Sequence, residues 1–254
     1  MSFNGGKQYH IFNIQDNIYK DEFTSEESKE AFENGIFYTK IDGANGYHLD
    51  GILYERYDDK KNILDPNNLP DGIINIPVGE NPCIYEGHHY YYSKMDSKTT
   101  NKKLKKVYED LYYQLNTKKE KNGSVEFVGP NFQLTPRYNN NKYIFHQSLS
   151  LNLNFNRNFK NIKNYLNTVV EEGVVIEYKG KYWKIRSNLY DNNCKFDKLK
   201  KSWINWKKGK SLKIEEIKLL NTYASCSYNK EVEWDLIEKD PIDFNAKDLT
   251  SNVI

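Results

Sequence analysis

The chain has 254 residues, with 37 Lys and Arg against 35 Asp and Glu, a formal net charge of +2, and 38% hydrophobic residues. That balance excludes a histone-like polycation, so any nucleic-acid affinity has to come from local basic faces. Charged residues make up 28%, but 21 Tyr, 12 Phe and 4 Trp supply packing surface that disordered chains lack, so a folded protein of one large domain, or one domain with a short appendage, is expected.

Residues 36–42 and 47–56 are rich in β-branched and aromatic types, and Asp50-Gly51 is a good two-residue hairpin turn, which predicts a strand, a short loop and a hairpin. Residues 60–82 hold Asp65-Pro66, Leu69-Pro70, Asp71-Gly72 and Asn81-Pro82, the turn chemistry of an irregular surface insert. Leu104, Val107, Tyr108, Leu111 and Leu115 recur at helical spacing and predict a helix over 101–116. Strands are expected at 124–128 and 142–147, then a second helix marked by Phe159, Ile162, Leu166, Val169 and Val170. A second hairpin, 173–178 and 181–186, turns at Lys179-Gly180. Trp203, Ile204 and Trp206, then Ile214, Ile217, Leu219 and Leu220, predict two terminal helices. The pattern is α+β: an antiparallel sheet core over residues 1–190 and a small helical C-terminal part over 191–254.

Cys83, Cys194 and Cys226 lie far apart and form no CxxC pair, which argues against a disulfide scaffold and a four-ligand zinc site. A reducing, cytoplasmic setting is expected. The first ten residues are polar and glycine-bearing where a signal peptide needs an apolar run, and no stretch approaches ~18 consecutive apolar residues, so no membrane association is expected. His88 and His89, adjacent in a strand, face opposite sides and cannot chelate one metal together.

The segment that points to chemistry is Lys40-Ile41-Asp42-Gly43-Ala44-Asn45-Gly46, between a strand and a hairpin. A lysine that is buried or flanked by other cations gives up its proton more readily than a free one. Downstream, in order, come Arg56 in Tyr54-Glu55-Arg56-Tyr57-Asp58, Glu126 in Ser124-Val125-Glu126-Phe127-Val128-Gly129-Pro130, and the aromatics of Tyr143-Ile144-Phe145-His146. Glu171-Glu172-Gly173-Val174-Val175-Ile176 follows, and then Lys184-Ile185-Arg186, whose two cations share one strand face. This ordered set resembles the motifs of the covalent nucleotidyltransferase superfamily, which contains the ATP-dependent DNA and RNA ligases and the mRNA capping guanylyltransferases.

The resemblance implies a nucleotidyltransferase (ATP-grasp-like ligase) domain with antiparallel sheets around the nucleotide site. It implies Lys40 as the nucleophile that becomes bound to AMP, with Asp42 and Gly43 completing its motif at the nucleotide. Arg56 would hold phosphate or ribose, Glu126 the ribose hydroxyls, and Phe145, with Tyr143 as the alternative, would stack on adenine. Glu172 would stand by the triphosphate and bind Mg²⁺ or Mn²⁺, whose hard character suits a carboxylate. Lys184 and Arg186 would complete the phosphate site, with Arg186 departing from the lysine usual there.

Only 68 residues follow Arg186, and they read as helical, whereas DNA ligases and capping enzymes normally append an OB-fold. The expected branch is therefore RNA ligase. The Ile76-Pro77-Val78 insert and the spacing from His146 to Glu172 are further similar to a stand-alone 5′-to-3′ RNA ligase family known from vertebrates. The partner implied is RNA with a 5′-phosphate and a 3′-hydroxyl end, and a monomer is favoured. The rivals are a capping guanylyltransferase and a non-catalytic nucleic-acid-binding protein of the same fold. Lys102, Lys103, Lys105 and Lys106, and the run Lys195, Lys198, Lys200, Lys201, Lys207, Lys208 and Lys210 around Trp203 and Trp206, are solvated helix faces by default and RNA-binding faces if the protein is a ligase.

Overall fold

Two tight turns organise the sheets. Asp50 and Gly51 have φ of 50° and 80°, and Lys179 and Gly180 have φ of 49° and 81°, the doubly left-handed geometry whose twist matches paired antiparallel strands. A third such turn, Asp16-Asn17 with φ of 52° and 59°, closes a hairpin that the sequence pattern did not predict. The computed structural model describes residues 7–75, 84–85, 88–95, 105–116, 122–129, 131–132, 140–191 and 194–226. The Ile76-Pro77-Val78 insert, Cys83, Pro130, the first four residues of the helix expected at 101–116, and residues 227–254 of the terminal part lie outside the described residues.

The elements are β1 (Tyr9–His10), β2 (Phe12–Gln15), β3 (Ile18–Phe23), α1 (Glu26–Asn34), β4 (Ile36–Lys40), β5 (Ala44–Leu49), β6 (Ile52–Asp59) and β7 (Ile73–Asn75). They continue as β8 (Ile84–Tyr85), β9 (His88–Lys94), α2 (Lys105–Asn116), β10 (Gly123–Val128), β11 (Lys142–Phe145) and β12 (Ser150–Leu151). Last come α3 (Phe159–Thr168), β13 (Gly173–Tyr178), β14 (Lys181–Arg186), α4 (Lys195–Lys207) and α5 (Ile214–Cys226). The fold is mixed α+β. One sheet has the order β1-β14-β13-β4-β12, the other β11-β10-β5-β6-β9-β7 with β8 also on β9, and β2-β3 stands as a separate hairpin. Pairing is antiparallel throughout the described residues except for β1, which runs parallel to β14.

Strand alternation assigns each sheet an outer and an inner face. On the five-stranded sheet, Phe37, Val174, Ile176, Trp183 and Ile185 point outward into a core shared with Phe12, Phe32 and Ile162, so α1, α3 and the β2-β3 hairpin cover that side. On the seven-stranded sheet, Leu53, Val125, Phe127 and Tyr143 pack outward against Val107, Tyr108 and Leu111 of α2. The inner faces carry the alternate residues, and they approach each other where Tyr182 of β14 and Tyr47 of β5 lie within electrostatic reach.

Helix ends are closed locally. Ser25 and Ser28 form a reciprocal capping box at the start of α1, and Arg157 donates to the carbonyls of Phe32, Glu33 and Gly35 at its end. The terminal helices α4 and α5 pack through Leu199 and Leu220, with Val170, Trp203, Leu212 and Leu219 around them. No helix among the described residues is long and apolar enough to cross a membrane.

Candidate active site

Lys40 ends β4, Gly173 begins β13 and Arg186 ends β14, and these three are consecutive partners across the five-stranded sheet. A Cβ on Gly173 would lie 1.9 Å from the Ile185 carbonyl oxygen, at a φ of 159°, so a glycine is required between the two cations. The residue before it, Glu172, is 7% exposed and reaches both: Oε2 accepts from Lys40 Nζ at 2.5 Å, and Oε1 pairs with Arg186 Nε at 3.1 Å. Burial alone would raise the Glu172 carboxyl, but Lys40, Arg186 and Lys200 together hold it below the ordinary carboxylate range. Glu171 is half-buried and its neighbour Glu172 is the buried carboxylate of the pair.

Lys184 lies two residues from Arg186 on the same strand face, as the two-residue period requires. Burial, followed by repulsion from Lys40, Lys7 and Arg186, pushes its amine down to about 8, opposed by Glu172. His10, its register partner on β1, is pushed down to about 4 by burial and then by Lys184 and Arg186. The ring is therefore neutral at pH 7, and Nδ1 lies 2.7 Å from the Tyr19 hydroxyl, which in turn accepts the Arg186 backbone N–H.

Leaving β4, the chain crosses from one sheet to the other through residues 41–43. Ile41 anchors the crossing against Val128. Asp42 is mostly buried, and its Oδ2 lies 2.6 Å from Lys200 Nζ of α4. Burial raises the Asp42 carboxyl and the nearby Glu172 raises it further, against the lowering effect of Lys200 and Lys40. Gly43 is required by close approach: a Cβ there would lie 2.5 Å from Glu126 Cγ and 2.6 Å from the Phe127 carbonyl.

Glu126 is on the inner face of the seven-stranded sheet, paired across strands with Asn45 and Ile144. Arg56 is on the same face, opposite Tyr92, whose hydroxyl donates to Asn45 Oδ1 at 2.7 Å. The Arg56 guanidinium sits 5.5 Å from the Tyr90 ring, and Lys7 Nζ lies 4.9 Å from the same ring.

Of the residues singled out in the sequence, Lys40, Lys184 and Arg186 lie on the inner face of the five-stranded sheet with Glu172 reaching Lys40 and Arg186, Arg56 and Glu126 lie on that of the seven-stranded sheet, and Asp42 and Gly43 lie on the crossing that joins them. Phe145 does not join them. Its register partner is Val125, one residue from Glu126, so the pleat sends its ring to the outer face, edge-on to Tyr143 and His48 beside the α2 core. Tyr143, the alternative, turns the same way. The inner-face residues of that segment are Ile144 and His146. Sequence reasoning missed His146, Asn45, Tyr92, Lys7 and the role of Lys200 at Asp42; counting alternation from Glu126 across the β10-β11 pair was the one available signal for His146.

No family model and no curated protein matches this chain.

Among the described residues no group of three or more His, Cys, Asp and Glu side chains forms a cage for a metal ion. Asp42 and Glu172 are nonetheless a partly buried and a buried carboxylate close enough to perturb each other. Carboxylate oxygens suit Mg²⁺, which is commonly held by one or two of them with water and substrate phosphates, but three of the four here already face Lys40, Arg186 and Lys200, so a metal ion would replace ion pairs that the side chains now make.

Proposed function

We propose that this protein is an ATP-dependent RNA ligase of the covalent nucleotidyltransferase type, and that Lys40 is its nucleophile. The observation that carries this reading is the union of Lys40, Glu172, Arg186 and Lys184 on one inner sheet face, opposite Glu126 and Arg56 on the other. In-line phosphoryl transfer asks for alignment and charge neutralisation, and a cluster of several cations around the carboxylates of Glu172 and Asp42 suits both.

In the reaction proposed, the Lys40 ammonium first gives a proton to water. The free amine then forms a bond to the α-phosphorus of ATP while the bond to the pyrophosphate oxygen breaks, and the surplus proton left on the nitrogen passes to the departing pyrophosphate or to water. Lys184, Arg186 and Arg56 offset the phosphate charge. Glu172, held low by three cations, is a poor proton acceptor, and its part is to orient Lys40 and balance charge. Asp42 and Glu172 would hold Mg²⁺, whose chemistry is to neutralise charge on the phosphate oxygens. The AMP then passes to an RNA 5′-phosphate, and a 3′-hydroxyl attacks that activated phosphate and expels AMP.

The test is intact-protein and peptide mass spectrometry after incubation with ATP or GTP and Mg²⁺. One AMP on the Lys40 peptide, absent in Lys40→Ala, supports the reading; GMP on Lys40 favours a capping guanylyltransferase, and no label favours a binding protein. Four oligonucleotides then examine the substrate: 5′-phosphorylated RNA should be joined, whereas its dephosphorylated form, its 2′,3′-cyclic-phosphate form and all-DNA should not.

A further inference from the structure

Glu126 is not held by strand pairing alone. Its Oε2 lies 2.9 Å from His146 Nε2, and His146 Nδ1 lies 2.8 Å from the Ser124 hydroxyl. Ser124 and Glu126 are two apart on β10 and share its inner face, while His146 enters from the 3₁₀ turn that follows β11. The histidine therefore bridges two residues of one strand and fixes the χ angles of the carboxylate between them. A carboxylate only accepts, so Nε2 carries the hydrogen given to Glu126, and Nδ1 and the Ser124 hydroxyl share the second bond.

This is no hydrolase triad. Ser124 is 2% exposed, and the carboxylate meets the nitrogen that a nucleophilic serine would need. With Oε2 engaged by His146, the other oxygen is turned toward the Lys40-Asp42-Gly43 crossing: a Cβ placed on Gly43 would come within 3.0 Å of Oε1. Gly43, having no side chain, is what lets the crossing pass this close to Glu126.

We propose that His146, backed by Ser124, is a positioning residue that presents Glu126 Oε1 to the sugar of the incoming nucleotide and thereby sets the preference for a ribonucleoside over a deoxyribonucleoside triphosphate. The inference rests on the nucleotidyl-transfer reading of the site and adds to it a residue and a specificity. A carboxylate free to rotate would still accept from a sugar hydroxyl, but it would bear the entropy of being fixed at each binding event. Held by His146, it is already oriented, and a nucleotide lacking the hydroxyl forfeits a hydrogen bond to a charged group.

The experiment measures the initial rate of Lys40 labelling as a function of concentration for ATP, 2′-deoxy-ATP, 3′-deoxy-ATP and 2′,3′-dideoxy-ATP. It uses the full chain in wild-type form and as His146→Ala, His146→Gln and Ser124→Ala. Wild type is expected to favour ATP over at least one deoxy analogue by about 10-fold or more in kcat/KM. In His146→Ala that ratio should fall toward one, through a raised KM for ATP and an unchanged KM for the analogue. Gln, which keeps a donor for Glu126, should restore part of the ratio, and Ser124→Ala should lose part of it. If His146→Ala slows all four nucleotides equally, or if wild type does not discriminate, the proposal is overturned while labelling itself stands. If His146→Ala fails to fold by circular dichroism, an unchanged ratio in both His146→Gln and Ser124→Ala overturns it. Absence of label on wild-type Lys40 from every nucleotide overturns the nucleotidyl-transfer reading and this inference with it.

Discussion

Lys40 and Glu172 are 132 residues apart in the chain, and the pairing of β4 with β13 brings Nζ to 2.5 Å from Oε2. The same carboxylate meets Arg186 on its other oxygen, so one buried anion serves two cations delivered by separate strands. Glu172→Gln keeps the shape and removes the charge, leaving Lys40 and Arg186 to repel each other. The expected outcome is a protein that remains folded but labels Lys40 slower by orders of magnitude, because electrostatic stabilisation of phosphoryl transfer is worth several kcal/mol. Wild-type labelling by a folded Glu172→Gln protein contradicts the assignment.

Lys200 reaches from α4 to Asp42 at 2.6 Å. Truncating it strands a largely buried carboxylate beside Glu172, and losing one partner of such a pair costs about 1–3 kcal/mol where part of the pair is exposed. Lys200→Ala should therefore lower the urea midpoint and slow Lys40 labelling, and Asp42→Asn combined with Lys200→Ala should cost less than the two single losses added. Strict additivity in that cycle removes the coupling.

Lys184 titrates near pH 8 through burial and then the repulsion of Lys40, Lys7 and Arg186. Its folded value lies below the ordinary 10.5, so the ammonium is present below about pH 8 and lost above it. ATP affinity, measured by equilibrium binding, should weaken as pH rises through 8, and Lys184→Arg should hold its affinity over the same range. Stability runs the opposite way. Between pH 8 and 10.5 the unfolded chain keeps a proton that the native state lacks, so this group's contribution to stability rises with pH there. A wild-type affinity that is flat from pH 7 to 9 contradicts the prediction.

Gly173 stands where a Cβ would overlap the Ile185 carbonyl. Gly173→Ala should cost more than about 2 kcal/mol, since β13 and β14 must separate or their backbone must bend. Chemical denaturation reads the loss. A midpoint within error of wild type shows that the strand pair accommodates the methyl.

The hairpins were legible because their signals are local. Asp50-Gly51 and Lys179-Gly180 sit between alternating strands, and all four residues adopt the left-handed conformation that such turns require. The helix at 159–170 ends two residues early, at Thr168, with Val169 extended. The β2-β3 hairpin and α1 were not read from the sequence. Their signals are a bare Asp16-Asn17 turn and a short helix capped by two serines, Ser25 and Ser28, without the usual Glu or Gln.

Turn chemistry and two-residue alternation placed Lys40 at the end of a strand and Lys184 and Arg186 on one strand face, and those properties belong to consecutive residues, so the sequence by itself determined them. That Lys40, Glu172 and Lys184 act together was implied only by the resemblance of their motifs. Tertiary structure decided which charges meet. Phe145 was lost to the site because β11 pairs with β10 in the register that puts Ile144, not Phe145, beside Glu126. Lys200 read as one lysine of a basic run and became the partner of Asp42 once α4 closed on the crossing between the sheets. The physical reason is range: a turn is set by the φ preferences of two residues, whereas an ion pair depends on chain closure over many residues and on the burial that closure creates.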